Sequence, residues 1–278
     1  MTHRRPKTRP VGAASRAAFR AARRACALAA LLAAVLLAGC GAPGAAHPGA
    51  DPAASDQGRG ASDIGFFAAA SLTDVAPLLT AAYARETGDT RGIPINLASS
   101  ARLVQQANSG EVPDVMVTAD AASLDALARP GEFRRLGDVA LNRLVIAVRP
   151  GSGIADAGGL ATAGAVALCA PSVPCGRAAG DYLERKGLRL ATVTEEDSVR
   201  AVLSKVASGQ VDAGFVYATD AAAAGDAVET VPLDVEIAPN AYPLLLAADA
   251  PAAAESFAAW LLGDTAAGIL AEAGFERP

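Results

Sequence analysis

Beyond residue 47 the chain has no histidine at all; the two it contains are His3 and His47. That absence excludes a Ser-His-Asp hydrolase and any acid–base chemistry run by imidazole. Cysteine is scarce too: Cys26, Cys40, Cys169 and Cys175 are the only four. A structural zinc site needs about four Cys or His ligands, and the C-terminal three quarters of the chain cannot supply them. Acidic residues are missing from positions 1–39, which hold eight of the 24 Lys and Arg. The rest of the chain therefore carries 16 basic against 29 acidic side chains, a net charge of −13. Such a surface argues against nucleic acid and against anionic membrane docking. No apolar run reaches the ~20 residues that a helix needs to span a bilayer.

What is present starts with an ordered N-terminus. His3 to Arg24 is basic, and Ala25 to Ala38 is almost purely Ala, Leu and Val. A positive segment followed by a short apolar one reads as a signal peptide over 1–39, with Cys26 inside it. The apolar segment ends in Leu37-Ala38-Gly39-Cys40. That tetrapeptide resembles the lipobox of bacterial lipoproteins, in which the Cys becomes the lipidated first residue. The alternative is an ordinary cleavage site that happens to carry a Cys. Gly41 to Ser62 is rich in Gly, Ala, Pro, Ser and Asp. It has too little to bury to offset its ordering entropy, so 40–62 reads as a lipid-anchored flexible tether.

From Asp63 onward, short β runs alternate with amphipathic helices. Strands are expected at Ile64–Ala68, Ile93–Ala98, Val115–Val117, Leu144–Val148, Ala165–Cys169, Leu190–Val193, Ala213–Tyr217 and Pro243–Ala247. Helices are expected between them, at Leu72–Thr87, Ala101–Ser109, Ala121–Leu127, Gly176–Lys186 and Ser198–Ser208, and then at Ala252–Ala273. Alternation of this kind indicates an α/β fold with mostly parallel sheets. Cys169 and Cys175, in an extracytoplasmic setting, read as a disulfide.

Four segments share one design, an apolar strand, then small or hydroxyl residues, then a helix. They centre on Ala70-Ser71-Leu72, Ser99-Ser100-Ala101, Pro174-Cys175-Gly176 and Ser198-Val199-Arg200. A helix start exposes unpaired N–H groups and a partial positive charge. Several starts converging on one point make an anion site without Lys or Arg. In open α/β sheets, ligands bind where such turns lie, at the C-terminal ends of strands. Each signal has a plainer reading when taken singly. The serines serve equally as N-caps. Tyr217, closing a buried strand, serves equally as a core aromatic with a satisfied hydroxyl.

Resemblance carries the reading further. Phe67-Ala68-Ala69-Ala70-Ser71-Leu72-Thr73, Ala98-Ser99-Ser100 and Pro113-Asp114-Val115-Met116-Val117-Thr118-Ala119-Asp120 are similar to motifs of the molybdate-binding periplasmic protein family. So are Pro174-Cys175-Gly176, Asp197-Ser198-Val199-Arg200 and Gly214-Phe215-Val216-Tyr217-Ala218-Thr219-Asp220, in the family's order. The resemblance implies a type II periplasmic-binding fold, two α/β lobes joined by two crossover strands with the ligand between them. One lobe is expected over 63–142 plus 235–278 and the other over 143–234, with crossovers near Leu144–Val148 and Val235–Ala241. The implied contacts are the Ser71 and Ser100 hydroxyls and backbone N–H groups from one lobe, and the backbone N–H of Cys175, the backbone N–H of Val199 and the Tyr217 hydroxyl from the other. Cys175 stands where the family usually has Ala, and Ala101-Arg102 stand where further hydroxyls are common.

The implied function is a monomeric, lipid-anchored extracytoplasmic binding protein that takes molybdate or tungstate to the permease of an ABC importer. No catalysis is expected, no cofactor, and no metal beyond the molybdenum held through its oxygens. Three alternatives stand beside it. One is a binder of another tetrahedral oxyanion, such as sulfate, thiosulfate or phosphate. Another is an enzyme using Cys169 or Cys175 as nucleophile, which lacks a His base. The last is a lipoprotein with a degenerate cleft, against which the retained hydroxyl positions argue.

Overall fold

The structure is a computed structural model and describes residues 63–278. The expected signal peptide, Cys40 anchor and tether lie outside the described residues.

Ten strands form two five-stranded sheets. The first contains β1 (Phe66–Ala69), β2 (Ile95–Ala98), β3 (Val115–Val117), β4 (Phe133–Asn142) and β10 (Asn240–Ala247), in the order β2-β1-β3-β10-β4. The second contains β5 (Leu144–Val148), β6 (Val166–Cys169), β7 (Val193–Glu196), β8 (Ala213–Tyr217) and β9 (Glu229–Val231), in the order β7-β6-β8-β5-β9. Each sheet is mixed. Strands β2, β1 and β3 run parallel, as do β7, β6 and β8. The antiparallel pairings involve β10 in the first sheet and β5 in the second. Those are the strands that enter or leave a sheet by a crossing.

The first crossing is tighter than the sequence suggests. β4 ends at Asn142 and β5 begins at Leu144, so Arg143 alone separates the two sheets. Leu144–Val148 is not itself the crossover: it pairs along its whole length with β8. The chain returns through 232–239, and Asn240 and Ala241 already pair with Asn142 and Leu141 in the first sheet. The edge strand β7 also lies later than the expected Leu190–Val193. Its position is set by pairing with β6, which aligns Val193 with Val166 and Glu196 with Cys169.

Helices follow the parallel strands. They are α1 (Ala76–Thr87), α2 (Ser100–Asn108), α3 (Pro174–Lys186), α4 (Val199–Ala207) and α5 (Ala218–Ala224), with α6 (Ala252–Leu261) and α7 (Asp264–Glu272) closing the chain. Their ends obey local chemistry. Pro174 opens α3, where its missing N–H costs nothing, and Gly187 at φ 65° closes it. Ser198 caps α4 by accepting the Ala201 N–H at 3.3 Å. The expected long helix from Leu72 begins instead with a single 3-10 turn, Ala70–Leu72, before α1. Phe66, Tyr83 and Phe257 stack edge to face behind the first sheet, and Tyr182 packs on Phe215 behind the second. Alanines fill much of the remaining core, which lets helices sit close to strands.

Candidate functional site

The C-terminal ends of the parallel strands in the two sheets face one small cavity. From the first sheet it is lined by Ala69, Ala70, Ser71, Ser99, Ser100 and Ala119. From the second it is lined by Val173, Pro174, Cys175, Val199 and Tyr217. All five residues singled out from the sequence therefore meet at one place. Each of them is buried, from 1% exposed at Ser100 and Tyr217 to 5% at Ser71.

The local folding explains why donors converge. Ser71 sits in the 3-10 turn directly after β1, and Ser100 is the first residue of α2. Cys175 is second in α3 and Val199 first in α4. Residues in such positions have N–H groups with no partner inside their own helix. The N-cap reading holds for Ser198 and fails for the two site serines. The cap of α2 is Ser99, which makes no side-chain capping bond. Ser100 Oγ instead accepts the Ala119 N–H at 2.9 Å. Ser71 Oγ lies 2.7 Å from the Tyr242 hydroxyl.

Tyr217 departs most clearly from an ordinary core aromatic. Its hydroxyl is buried and has no hydrogen-bond partner. Leaving such a group unpaired costs roughly 1–3 kcal/mol, which points to a partner supplied from outside the chain. Burial, reinforced by the neighbouring Tyr242, Asp120 and Asp220, holds its pKa well above the usual phenol range. The hydroxyl therefore stays protonated and is available as a donor.

No Lys or Arg lines the cavity. Two arginines flank it and were given no role from the sequence. Arg177 of α3 pairs with Asp120, which follows β3 of the other sheet, and also donates to Ser123. Arg200 of α4 pairs with Asp74 from the first lobe at 2.7 Å and with Asp220 at 3.2 Å. A signal for both did exist: an arginine near the start of a helix runs against the helix dipole, so it needs an acidic partner close by. Tyr242 and Asn142, behind Ser71, were also missed. Asn142 ends β4 and Tyr242 lies inside β10, and nothing local in sequence ties either to Ser71.

Cys169 and Cys175 form a disulfide with a Cα–Cα separation of 5.7 Å. It ties the end of β6 to the start of α3, and closing so short a loop stabilises by roughly 2–3 kcal/mol in the chain-entropy picture. A bonded pair has no free thiol to act as a nucleophile. Among the described residues no cluster of His, Cys, Asp or Glu could hold a metal ion.

Comparison with known proteins gives the family. Residues 64–276 match the model of the family described as bacterial extracellular solute-binding protein. The chain belongs to that family. Relatives include proteins named molybdate-binding protein ModA from Mycobacterium bovis and Mycobacterium tuberculosis. Each is 34% identical over 244 residues, covering 84% of this chain and 92% of the relative. Among solved structures, the periplasmic molybdate-binding protein of Azotobacter vinelandii superposes with a TM-score of 0.68 at 24% identity, covering 78% of this chain and all of that one. The sulfate-binding protein SubI of Mycobacterium tuberculosis superposes at 0.67 with 19% identity, covering 78% and 87%. At these identities the superpositions establish the fold, two α/β lobes of the periplasmic-binding kind. Like the rest of the family, the chain is a solute-binding protein of a transport system and not an enzyme. No described helix is long and apolar enough to cross a membrane.

Proposed function

We propose that this solute-binding protein captures molybdate, or the nearly isometric tungstate, between its lobes outside the cytoplasm. On this reading Cys40 carries the lipid anchor, 40–62 is the tether, and the permease of an ABC importer receives the ligand. The lobes are 63–142 plus 235–278 and 143–234, acting within a monomer. The contacts are the hydroxyls and backbone N–H groups of Ser71 and Ser100, the N–H groups of Cys175 and Val199, and the Tyr217 hydroxyl. The unpaired, buried Tyr217 hydroxyl at the cavity wall carries the reading. The names of the mycobacterial relatives support the choice of anion.

The chemistry is coherent. A tetrahedral dianion offers four oxygens that only accept, and this cavity offers hydroxyl and N–H donors. Each charge-assisted hydrogen bond contributes roughly 1.5–3 kcal/mol. About seven of them suffice for micromolar to nanomolar affinity after the costs of binding. The negative chain slows the approach of an anion, so affinity comes from local dipoles.

Calorimetric titration of the purified protein with molybdate, tungstate and sulfate tests the proposal. Molybdate and tungstate are expected to bind alike and at least a hundredfold more tightly than sulfate. A preference for sulfate would move the protein to the other oxyanion reading.

A further inference from the structure

We infer that Asn142 and Tyr242 act as positioning residues that lock Ser71 as a hydrogen-bond donor toward the cleft. The inference rests on reading the cleft as an oxyanion site. It concerns residues that do not line the cavity.

The argument follows the protons. Asn142 and Tyr242 are both fully buried. Asn142 Nδ2 donates to Thr219 Oγ1 at 2.8 Å and to the Tyr242 hydroxyl oxygen at 3.3 Å. Both of its N–H bonds are thereby used, and its Oδ1 has no partner. Turning the amide over would instead strand both N–H bonds at the empty position. An under-satisfied carbonyl oxygen is the more tolerable of the two.

With an N–H donated to its oxygen, Tyr242 has one proton left to place. Its remaining neighbour is Ser71 Oγ at 2.7 Å. If Ser71 donated instead, the Tyr242 proton would be buried without an acceptor. Tyr242 therefore donates and Ser71 accepts. Burial raises the Tyr242 pKa, which keeps that proton in place. The single proton of Ser71 is then left to point into the cavity that Ser71 lines.

Ser100 is arranged in the same sense by a different group. Its Oγ accepts the Ala119 N–H, so its own proton is also free for the cavity. Tyr217 presents a third hydroxyl with no internal partner. A tetrahedral dianion, whose oxygens only accept, can take all three of these protons.

The test is a pair of variant cycles read by molybdate titration at pH 8. Tyr242→Phe is expected to raise Kd three- to tenfold in the wild type and less than twofold in a Ser71→Ala background, because it acts through that serine. Equal losses in the two backgrounds would mean that Tyr242 is merely structural, and would overturn the inference. Direction is tested by Asn142→Asp, whose carboxylate only accepts. It draws the Tyr242 proton inward, which draws the Ser71 proton after it, and affinity is expected to fall at least tenfold. Adding Tyr242→Phe cuts the reversed chain, so the double variant is expected to recover at least threefold over Asn142→Asp alone. A double variant no better than the single one contradicts the relay. If Asn142→Asp does not fold, the Tyr242 and Ser71 cycle decides alone. A wild type that binds none of molybdate, tungstate and sulfate sinks the cleft reading, and this inference with it. A wild type that binds, with additive variants, sinks only this inference.

Discussion

Arg177 reaches across the cleft to Asp120, placing its Nε at 2.8 Å and its Nη2 at 2.6 Å from one carboxylate oxygen. Arg177 belongs to α3 of the second sheet's lobe and Asp120 to the loop after β3 of the first. The pair forms only while the two lobes are together. It is partly shielded from water, with the side chains 33% and 15% exposed, and Ser123 adds a further acceptor for the guanidinium at 2.8 Å.

Arg177→Ala is therefore expected to weaken molybdate binding about three- to tenfold, on the order of 1 kcal/mol for a half-buried ion pair. The loss should appear in the dissociation rate, since the pair bridges the lobes and neither residue lines the cavity. Arg177→Lys keeps the charge but not the two-pronged contact, and should fall between. Stopped-flow measurement of association and dissociation checks this. An unchanged dissociation rate would show that the pair does not hold the lobes closed.

Gly176 and Gly180 make opposite predictions within one helix. A Cβ on Gly176 would lie 2.0 Å from the Ala170 carbonyl oxygen and 2.6 Å from that of Cys169. Those are backbone atoms and cannot yield. Gly176→Ala must push the start of α3 off the end of β6, displacing the Cys175 N–H from the cleft. We expect a loss of about 2–4 kcal/mol in stability and at least tenfold in affinity. A Cβ on Gly180 meets nothing within 4 Å, so Gly180→Ala should stabilise by roughly 0.5–1 kcal/mol and leave binding alone. Denaturant unfolding with parallel titration distinguishes the two.

Asp220 makes stability depend on pH. Burial pushes its carboxyl up to about 7, against the opposing pull of Arg200. Asp74 also faces this group, and raises it further. In the unfolded chain an Asp titrates near ~4. Between these values the folded state holds the proton and the unfolded state has lost it, so stability falls as pH rises. The contribution is fully present below ~4 and gone above about 7. Asp220→Asn should remove that slope. Melting temperatures from pH 4 to 8 should show the variant gaining on the wild type as pH rises, and parallel curves would contradict the assignment.

The legible part of the site was the part written as strand, small residues and helix. Ser71, Ser100, Cys175 and Val199 each follow a parallel strand within a few residues, and Tyr217 ends one. Their convergence follows from the rule that such turns gather at one edge of an open sheet. What supports them was not legible. β4 went unread because Arg134, Arg135 and Asp138 interrupt its apolar pattern; the strand is defined by pairing with β10 across two register shifts. Asn142 ends β4 and Tyr242 lies in β10, so their juxtaposition with Ser71 depends on contacts 171 and 100 residues apart in sequence. β7 lies three residues beyond the run that its composition suggests, because its alignment comes from β6. The arginine pairs required knowing which loops face each other across the cleft.

The central claim is that this cavity binds a tetrahedral oxyanion through neutral donors, and Tyr217→Phe tests it most directly. The change removes one oxygen atom from a buried ring that makes no hydrogen bond within the chain. It should leave the fold intact and even stabilise the ligand-free protein slightly, because a desolvated hydroxyl disappears. Molybdate affinity, measured by calorimetry beside the wild type, should fall about ten- to a hundredfold, equivalent to roughly 1.5–3 kcal/mol. A variant that melts no lower than the wild type and loses that affinity is the predicted result. A variant that binds molybdate as tightly as the wild type would contradict the assignment of the cleft.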